Sequence, residues 1–311
     1  MMATGFLVCP GVHTGSRGTS GVARTSGRRD LGRSGDVPRL HGTVACTRRP
    51  GAVGPDTEMG GFKDHFSATA SGYAAHRPVY PRAVAEALAA RSPGRGLAWD
   101  AGCGSGQLSG VLGEVFDRVV GTDASAAQIA AATPHPAVRY SVAPAEKSGL
   151  PDGSVDCAVA AQAAHWFDLE AYYREVRRVA RPGGLIALVT YAVMEVEPAI
   201  GRIVDHFYRH TLDGHWPPER QLVEEGYRSL AFPFEPVEAP ALALEHRWNA
   251  EQLLGYVGTW SAVQSLRKAG RGVEFDRFGG ELRGAWGDPG MARVIRWPLS
   301  LRLGRVLFGV A

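Results

Sequence analysis

The chain has 311 residues, enough for one large domain or two small ones with a sizeable core. Apolar residues at 45% and charged residues at 21% sit near globular averages, which excludes a wholly disordered or fibrous chain. The net charge of +3 comes from the first 58 residues, where eight Arg and no Lys oppose Asp30, Asp36, Asp56 and Glu58; residues 59–311 sum to −1, so no phosphate-tracking surface and no nucleic-acid partner are expected.

The longest strongly apolar stretch, Pro182–Met194 between Arg181 and Glu195, is too short to cross a bilayer, so no membrane partner is expected. Four cysteines (Cys9, Cys46, Cys103, Cys157) fall in no metal-ligand spacing. They read as reduced thiols of a cytoplasmic protein, with no metal site and no obligate protein partner expected.

Residues 1–58 are rich in Gly, Ser, Thr and Arg without periodicity, a composition that predicts a disordered extension. It reads either as an organelle transit peptide or as translated upstream sequence ahead of a start at Met59. Residues 59–311 form the expected domain, with a core over 96–191 and lid and closing strands over 192–311. Pro81 is placed to open a helix through Ala90. Strands then follow over Gly96–Asp100, Arg118–Thr122, Val138–Val142, Val155–Ala160 and Gly184–Tyr191. Between them the spacing predicts helices over Gln107–Phe116, Ser125–Ala132 with Ser125 as N-cap, and Leu169–Val179. That alternation predicts an α/β fold, a parallel sheet with helices on both faces. Further on, helices are expected over Ile200–Leu212, Glu219–Leu230, Ala250–Lys268 and Val273–Trp286, and strands over Pro236–Trp248 and Val294–Leu303.

The most informative segment is Asp100-Ala101-Gly102-Cys103-Gly104-Ser105-Gly106-Gln107, which follows a strand and opens a helix. Backbone N–H groups and a helix dipole meet a ligand at such a place, and glycine at 102, 104 and 106 removes each Cβ that would hold it off. The third glycine of a dinucleotide fingerprint would fall at Gln107, and Asp100 would repel a pyrophosphate but suits an ammonium group. Asp123 ends the next strand, 21 residues after Gly102, where a carboxylate can accept both hydroxyls of a ribose. Ala145-Glu146, after the third strand, is placed to border an adenine. An ammonium-binding loop, a ribose acid and an adenine edge together describe S-adenosylmethionine.

At this point the sequence resembles the class I S-adenosylmethionine-dependent methyltransferases. The matching stretches are Leu97–Gln107, Val119–Ser125, Leu150–Asp156 and Val179–Leu185. The flanking pieces Asp64–Ser67, Tyr73, Arg77-Pro78, Tyr80-Pro81, His165–Asp168 and Thr259–Ala262 resemble the branch that includes trans-aconitate methyltransferase. The resemblance implies a Rossmann-like, seven-stranded, mostly parallel sheet with its last strand antiparallel and a mostly helical lid insertion. It also implies that Asp100, Ala101, Gly102, Cys103, Gly104 and Gly106 surround the methionine part, with Arg77 on its carboxylate. Asp123 takes the ribose, Ala124, Ala145 and Glu146 flank the adenine, and Gln162-Ala163 floor the sulfonium.

Tyr73, Tyr80, Trp166 and Trp260 are candidates for the acceptor pocket, with Trp260 expected in mid-helix. His165 is the candidate catalytic residue and reads either as a general base or as a packed residue holding Trp166 and Phe167. Cys103, flanked by glycines, has no base beside it and is not expected to be a nucleophile. The expected activity is methyl transfer to a small-molecule acceptor, a carboxylate or similar oxygen. The competing readings are a nicotinamide-dependent oxidoreductase and a non-catalytic cofactor-binding module.

Overall fold

A computed structural model describes residues 78–288 and 290–307. The expected N-terminal extension, Tyr73 and Arg77 lie outside the described residues. Pro81, at φ −71°, precedes helix α1 (Arg82–Ala89), which buries Val84, Ala85 and Leu88. Strand β1 (Ala98–Ala101) leads through the glycine loop to α2 (Gln107–Gly113). Then come β2 (Val119–Asp123), α3 (Ala126–Ala130), β3 (Val138–Val142), β4 (Val155–Ala161), α4 (Leu169–Val179) and β5 (Ala180–Thr190).

The caps explain two of these helices. Ser125 accepts from the Gln128 N–H ahead of α3, and Asp168 accepts from the Ala171 N–H at 3.1 Å ahead of α4. Arg177 and Arg178 in the last turn of α4 complement its carbonyl end.

The main sheet has the order β3-β2-β1-β4-β5-β9-β6, where β6 is Glu235–Val237 and β9 is Ser300–Arg305. The first five strands pair in parallel, and β9 runs antiparallel to β5 and β6. This is the seven-stranded, mostly parallel Rossmann-like sheet that the pattern predicts. The apolar runs of β4 and β5 are buried on both faces, as parallel strands require. Leu185, Ala187 and Val189 pack with Leu88, Leu108 and Leu112 on one side. Ile186 and Leu188 pack with Trp99, Tyr172 and Val176 on the other.

The last third departs from expectation. Helix α5 (Pro198–His206) passes into a π turn, Phe207–Thr211, and the next helix, α6 (Arg220–Glu224), stops well short of Leu230. Gly226 and Tyr227 take left-handed backbone there (φ 62° and 61°) and turn the chain back onto the sheet. The expected strand over Pro236–Trp248 is two strands, β6 and β7 (Ala243–Trp248), separated around Pro240 and placed in different sheets. The expected helix over Ala250–Lys268 is two, α7 (Ala250–Gly258) and α8 (Ser261–Lys268). The Thr259 hydroxyl donates to the Tyr256 carbonyl at 2.6 Å, and Trp260 is extended (φ −63°, ψ 138°). Trp260 is therefore the hinge residue between two helices and not a mid-helix residue.

After α9 (Gly272–Trp286), the expected final strand is again two, β8 (Arg293–Pro298) and β9. Strands β7 and β8 pair into a small antiparallel sheet of their own. The insertions thus combine helices with a two-stranded sheet.

Gly106 joins the loop to α2 at φ 86°, and a Cβ there would collide with the hydroxyl of Tyr140 on β3. Gly106→Ala is expected to lose about 2 kcal/mol or more, from left-handed backbone and a clash that a strand residue cannot relieve. Urea unfolding with the Gly106→Ala chain measures it.

Candidate functional site

The carboxyl ends of β1, β2, β3 and β4 place their following turns side by side. In the loop after β1, Gly102 and Gly104 both have left-handed backbone (φ 66° and 55°). A Cβ on Gly102 would stand 2.6 Å from the Ala163 Cβ and 3.0 Å from the Phe167 ring. The room at 102 and 106 is therefore taken by Ala163, Phe167 and Tyr140, not left for a ligand as the spacing suggests. Only at Gly104 are the nearest atoms at ordinary contact distance, Gln107 and Gln128 side-chain oxygens at 3.7 and 3.8 Å.

Asp123, at the end of β2, holds this loop. One carboxylate oxygen accepts the Gly104 N–H at 2.9 Å and the other accepts the Ser125 N–H at 2.8 Å. Glu146 accepts the Asp168 N–H at 3.0 Å, which ties the turn after β3 to the turn after β4. Ala145 is buried beside it, and Ala124 follows Asp123 half-buried.

Asp100 is buried under the loop. Ser109 donates to its Oδ2 at 2.6 Å, while Oδ1 has no hydrogen-bond partner among the described residues. Burial, and then the negative charge of Asp123, raise this carboxyl to about 7. A cation brought to Oδ1 would satisfy an atom the fold leaves unmatched. Cys103 and Ala101 are buried here as well, and burial pushes the Cys103 thiol well up, which makes it a packing residue and not a nucleophile.

The turn after β4 carries the second half of the site. Gln162 has left-handed backbone at φ 54°, unusual for a side-chain-bearing residue. Its Nε2 donates to the Tyr191 carbonyl at 2.8 Å, and its Oε1 accepts from the Thr190 hydroxyl at 3.0 Å. His165 follows in a short 3₁₀ turn, Ala164–Trp166, with its Nδ1 2.7 Å from the Tyr227 hydroxyl. That hydroxyl is also hydrogen-bonded with Thr190.

The Tyr191 carbonyl accepts only, which orients the Gln162 amide. His165 Nδ1 shares a hydrogen bond with the Tyr227 hydroxyl, and His165 Nε2 has no hydrogen-bond partner among the described residues. Burial, and then the positive charge of Arg220, push His165 down to about 3, so it stays neutral.

A half-open cleft lies beside this turn. Gln162, His165 and Trp166 line it from the core, with Tyr191 and Ala192 at the end of β5. Trp216, Pro217, Arg220 and Val223 come from the segment around α6, and Tyr256, Trp260 and Ser261 from the junction of α7 and α8. Trp166 and Trp260 thus both line this cleft. Tyr80 is buried edge-to-face with Tyr191 (ring centroids 6.3 Å apart), one ring away from the lining.

Arg220, Tyr227, Trp216 and Tyr256 are the residues that sequence reasoning misses. The Trp216-Pro217-Pro218 run ahead of Arg220 is the one visible signal, an aromatic residue held by prolines in a polar stretch.

Because folded His165 is protonated only below about 3 and the unfolded residue near 6.5, the unfolded chain binds the extra proton between these values. The contribution of His165 to stability is therefore expected to fall as pH drops from 6.5 toward 3, by on the order of 1 kcal/mol per pH unit. Urea unfolding of the native chain and of His165→Asn across this range checks it; a constant difference between the two would show an ordinary, accessible histidine.

Residues 99–188 match the family model described as a methyltransferase domain. A protein of Dictyostelium discoideum named as a methyltransferase is 32% identical over 213 residues, 67% of this chain and 81% of its own length. A solved structure from Anaeromyxobacter dehalogenans, described as a type II methyltransferase, is 50% identical, covering 75% of this chain and 99% of that one with a TM-score of 0.71. A malonyl-[acyl-carrier protein] O-methyltransferase of Dechloromonas aromatica is 37% identical over 130 residues, and the chain spans 48% of its length. Sheet order, glycine loop and relatives agree: the chain belongs to the class I S-adenosylmethionine-dependent methyltransferases.

Proposed function

We propose that this enzyme transfers the methyl group of S-adenosylmethionine to an oxygen of a small-molecule acceptor, a carboxylate or similar metabolite oxygen, held in the aromatic cleft. The cofactor supplies an electrophilic methyl group on a sulfonium. A carboxylate takes it without losing a proton, and the opposite charges cancel as the bond forms.

One observation carries the reading. The Gln162-Ala163 turn belongs at once to the glycine loop, through the 2.6 Å approach at Gly102, and to the lining of the cleft. A cofactor on the loop and an acceptor in the cleft would therefore meet at this turn. On this reading Asp100 Oδ1 receives the ammonium of the methionine part, Gly104 leaves room for it, and Asp123 takes the ribose hydroxyls. Ala101, Gly102, Cys103 and Gly106 form the loop around it, Ala124, Ala145 and Glu146 flank the adenine, and Arg77 remains the candidate for the methionine carboxylate. Tyr73, Tyr80, Trp166 and Trp260 bound the acceptor side.

The cleft is lined mainly by aromatic and apolar side chains with few polar groups, which favours a small organic acceptor. The O-methyltransferase relative favours oxygen as the receiving atom. His165, neutral and a weak base, serves as a hydrogen-bond acceptor that positions the substrate, in keeping with an acceptor that needs no deprotonation.

Incubation with methyl-labelled cofactor and separate pools of small acids, phenols and amines tests the proposal. Label is expected in the acid pool, and label confined to amines, or none in any pool, overturns it. Asp123→Ala is expected to weaken cofactor binding by about 1.5–3 kcal/mol in titration calorimetry, the range for a charge-assisted hydrogen bond.

Asp100 adds a pH dependence. Its carboxyl must be ionised to hold an ammonium, so cofactor affinity is expected to fall about tenfold per pH unit below about 7 and to level off above it. Binding at pH 7 should release a proton to the buffer, visible as a dependence of the measured heat on buffer ionisation enthalpy. A pH-independent heat and affinity in Asp100→Asn would identify Asp100 as the source.

A further inference from the structure

Among the described residues Arg220 is the one cation in the cleft lining, and no Asp or Glu accompanies it there. Its side chain is only 21% exposed. The Nε–H donates to the Tyr208 hydroxyl at 2.5 Å, and the guanidinium lies 5.3 Å from the Tyr208 ring and 5.0 Å from that of Trp216. The plane of the guanidinium is thereby braced on two aromatic faces.

The nearest carboxylate, Glu224, stands 3.9 Å from Nε but accepts the hydroxyl proton of Tyr208. It steadies the base of the guanidinium and does not reach its outer edge. The Nη1 and Nη2 groups carry four of the five guanidinium donors, and none has a hydrogen-bond acceptor among the described residues. A half-buried guanidinium whose outer fork is open fits a carboxylate through two parallel bonds. Across the cleft, His165 is neutral and offers no competing positive charge.

We infer that Arg220 is the specificity-determining anchor of the acceptor site, gripping a carboxylate of the substrate in an aromatic cage and selecting anionic acceptors over neutral ones of the same shape. The inference rests on the reading of the cleft as the acceptor site and deepens it. It names the group that the acceptor must carry and the side chain that reads it.

The test uses a pool of matched pairs, each a small aliphatic, unsaturated or aromatic carboxylic acid and its primary amide. Binding to the full chain saturated with S-adenosylhomocysteine is followed by saturation-transfer NMR and calorimetry. At least one acid is expected to bind, roughly tenfold or more tighter than its amide. Arg220→Gln should erase that preference, and Arg220→Lys should keep part of it. With labelled cofactor, Arg220→Gln should raise KM for the acid by a similar factor and change kcat less.

Affinity for S-adenosylhomocysteine, measured on each variant, separates the outcomes, since Arg220 is remote from the glycine loop in sequence and in its contacts. Loss of cofactor binding in the native chain would sink the methyltransferase site itself. Intact cofactor binding with amides held as well as acids, with no acid held, or with Arg220→Gln as selective as the native chain, would overturn the anchor alone.

Discussion

The site depends on the clamp that Asp123 places on the glycine loop. A loop with three left-handed residues within five positions has weak local preferences, and its N–H groups need partners. One carboxylate supplies them to Gly104 and to Ser125, and so fixes the loop after β1 against the start of α3. The approach of Gly102 to Ala163 then becomes a consequence, since no side chain at 102 keeps the turns after β1 and β4 apart. The aspartate that the spacing marks as a ribose ligand is equally the strut that gives the loop its shape.

Burial acts in opposite directions on the two ionisable groups nearest this turn. It raises Asp100 to about 7 and lowers His165 to about 3, in each case toward the uncharged form. Their situations still differ. His165 Nδ1 is satisfied by Tyr227 within a chain that ends on Gln162, whereas Asp100 keeps an oxygen without any partner among the described residues. A satisfied buried group is part of the framework, and an unsatisfied one is an acceptor in waiting. By that distinction Asp100 is the group that the proposed reading gives to the ligand, and Tyr227 is part of the packing that supports His165.

Much of this was legible in the residues. The strands from β1 to β5 are short apolar runs punctuated by glycine, and α4 was bounded correctly because Asp168 caps it and its apolar face is periodic. The core half of the proposed site, Asp100 through Gly106, Asp123, Glu146 and Gln162, sits at strand ends, so finding the strands places these residues side by side. The acceptor half was not legible for a physical reason. Long-range pairing divides both 236–248 and 294–303 between two sheets, and local propensity carries no record of which sheet a strand joins. Trp260 looked like one turn of a long helix because the break comes from a threonine hydroxyl bonding back to Tyr256, a choice that helix propensity does not report. Arg220 gave little signal as one arginine among many; its setting comes from Tyr208, Trp216 and a cleft lining without Asp or Glu among the described residues.

The distribution of these residues along the chain separates two tasks. The proposed cofactor contacts lie on turns at the strand ends of the sheet, where backbone geometry sets them. The cleft is walled by side chains from the segment between β5 and β6 and from the segment between β6 and β9, where helices pack on one another and not within the sheet. Only the turn from Gln162 to Trp166 takes part in both. On the proposed reading the sheet turns hold the cofactor and side chains such as Trp216, Arg220 and Tyr256 face the acceptor, and the two parts meet at the left-handed backbone of Gln162.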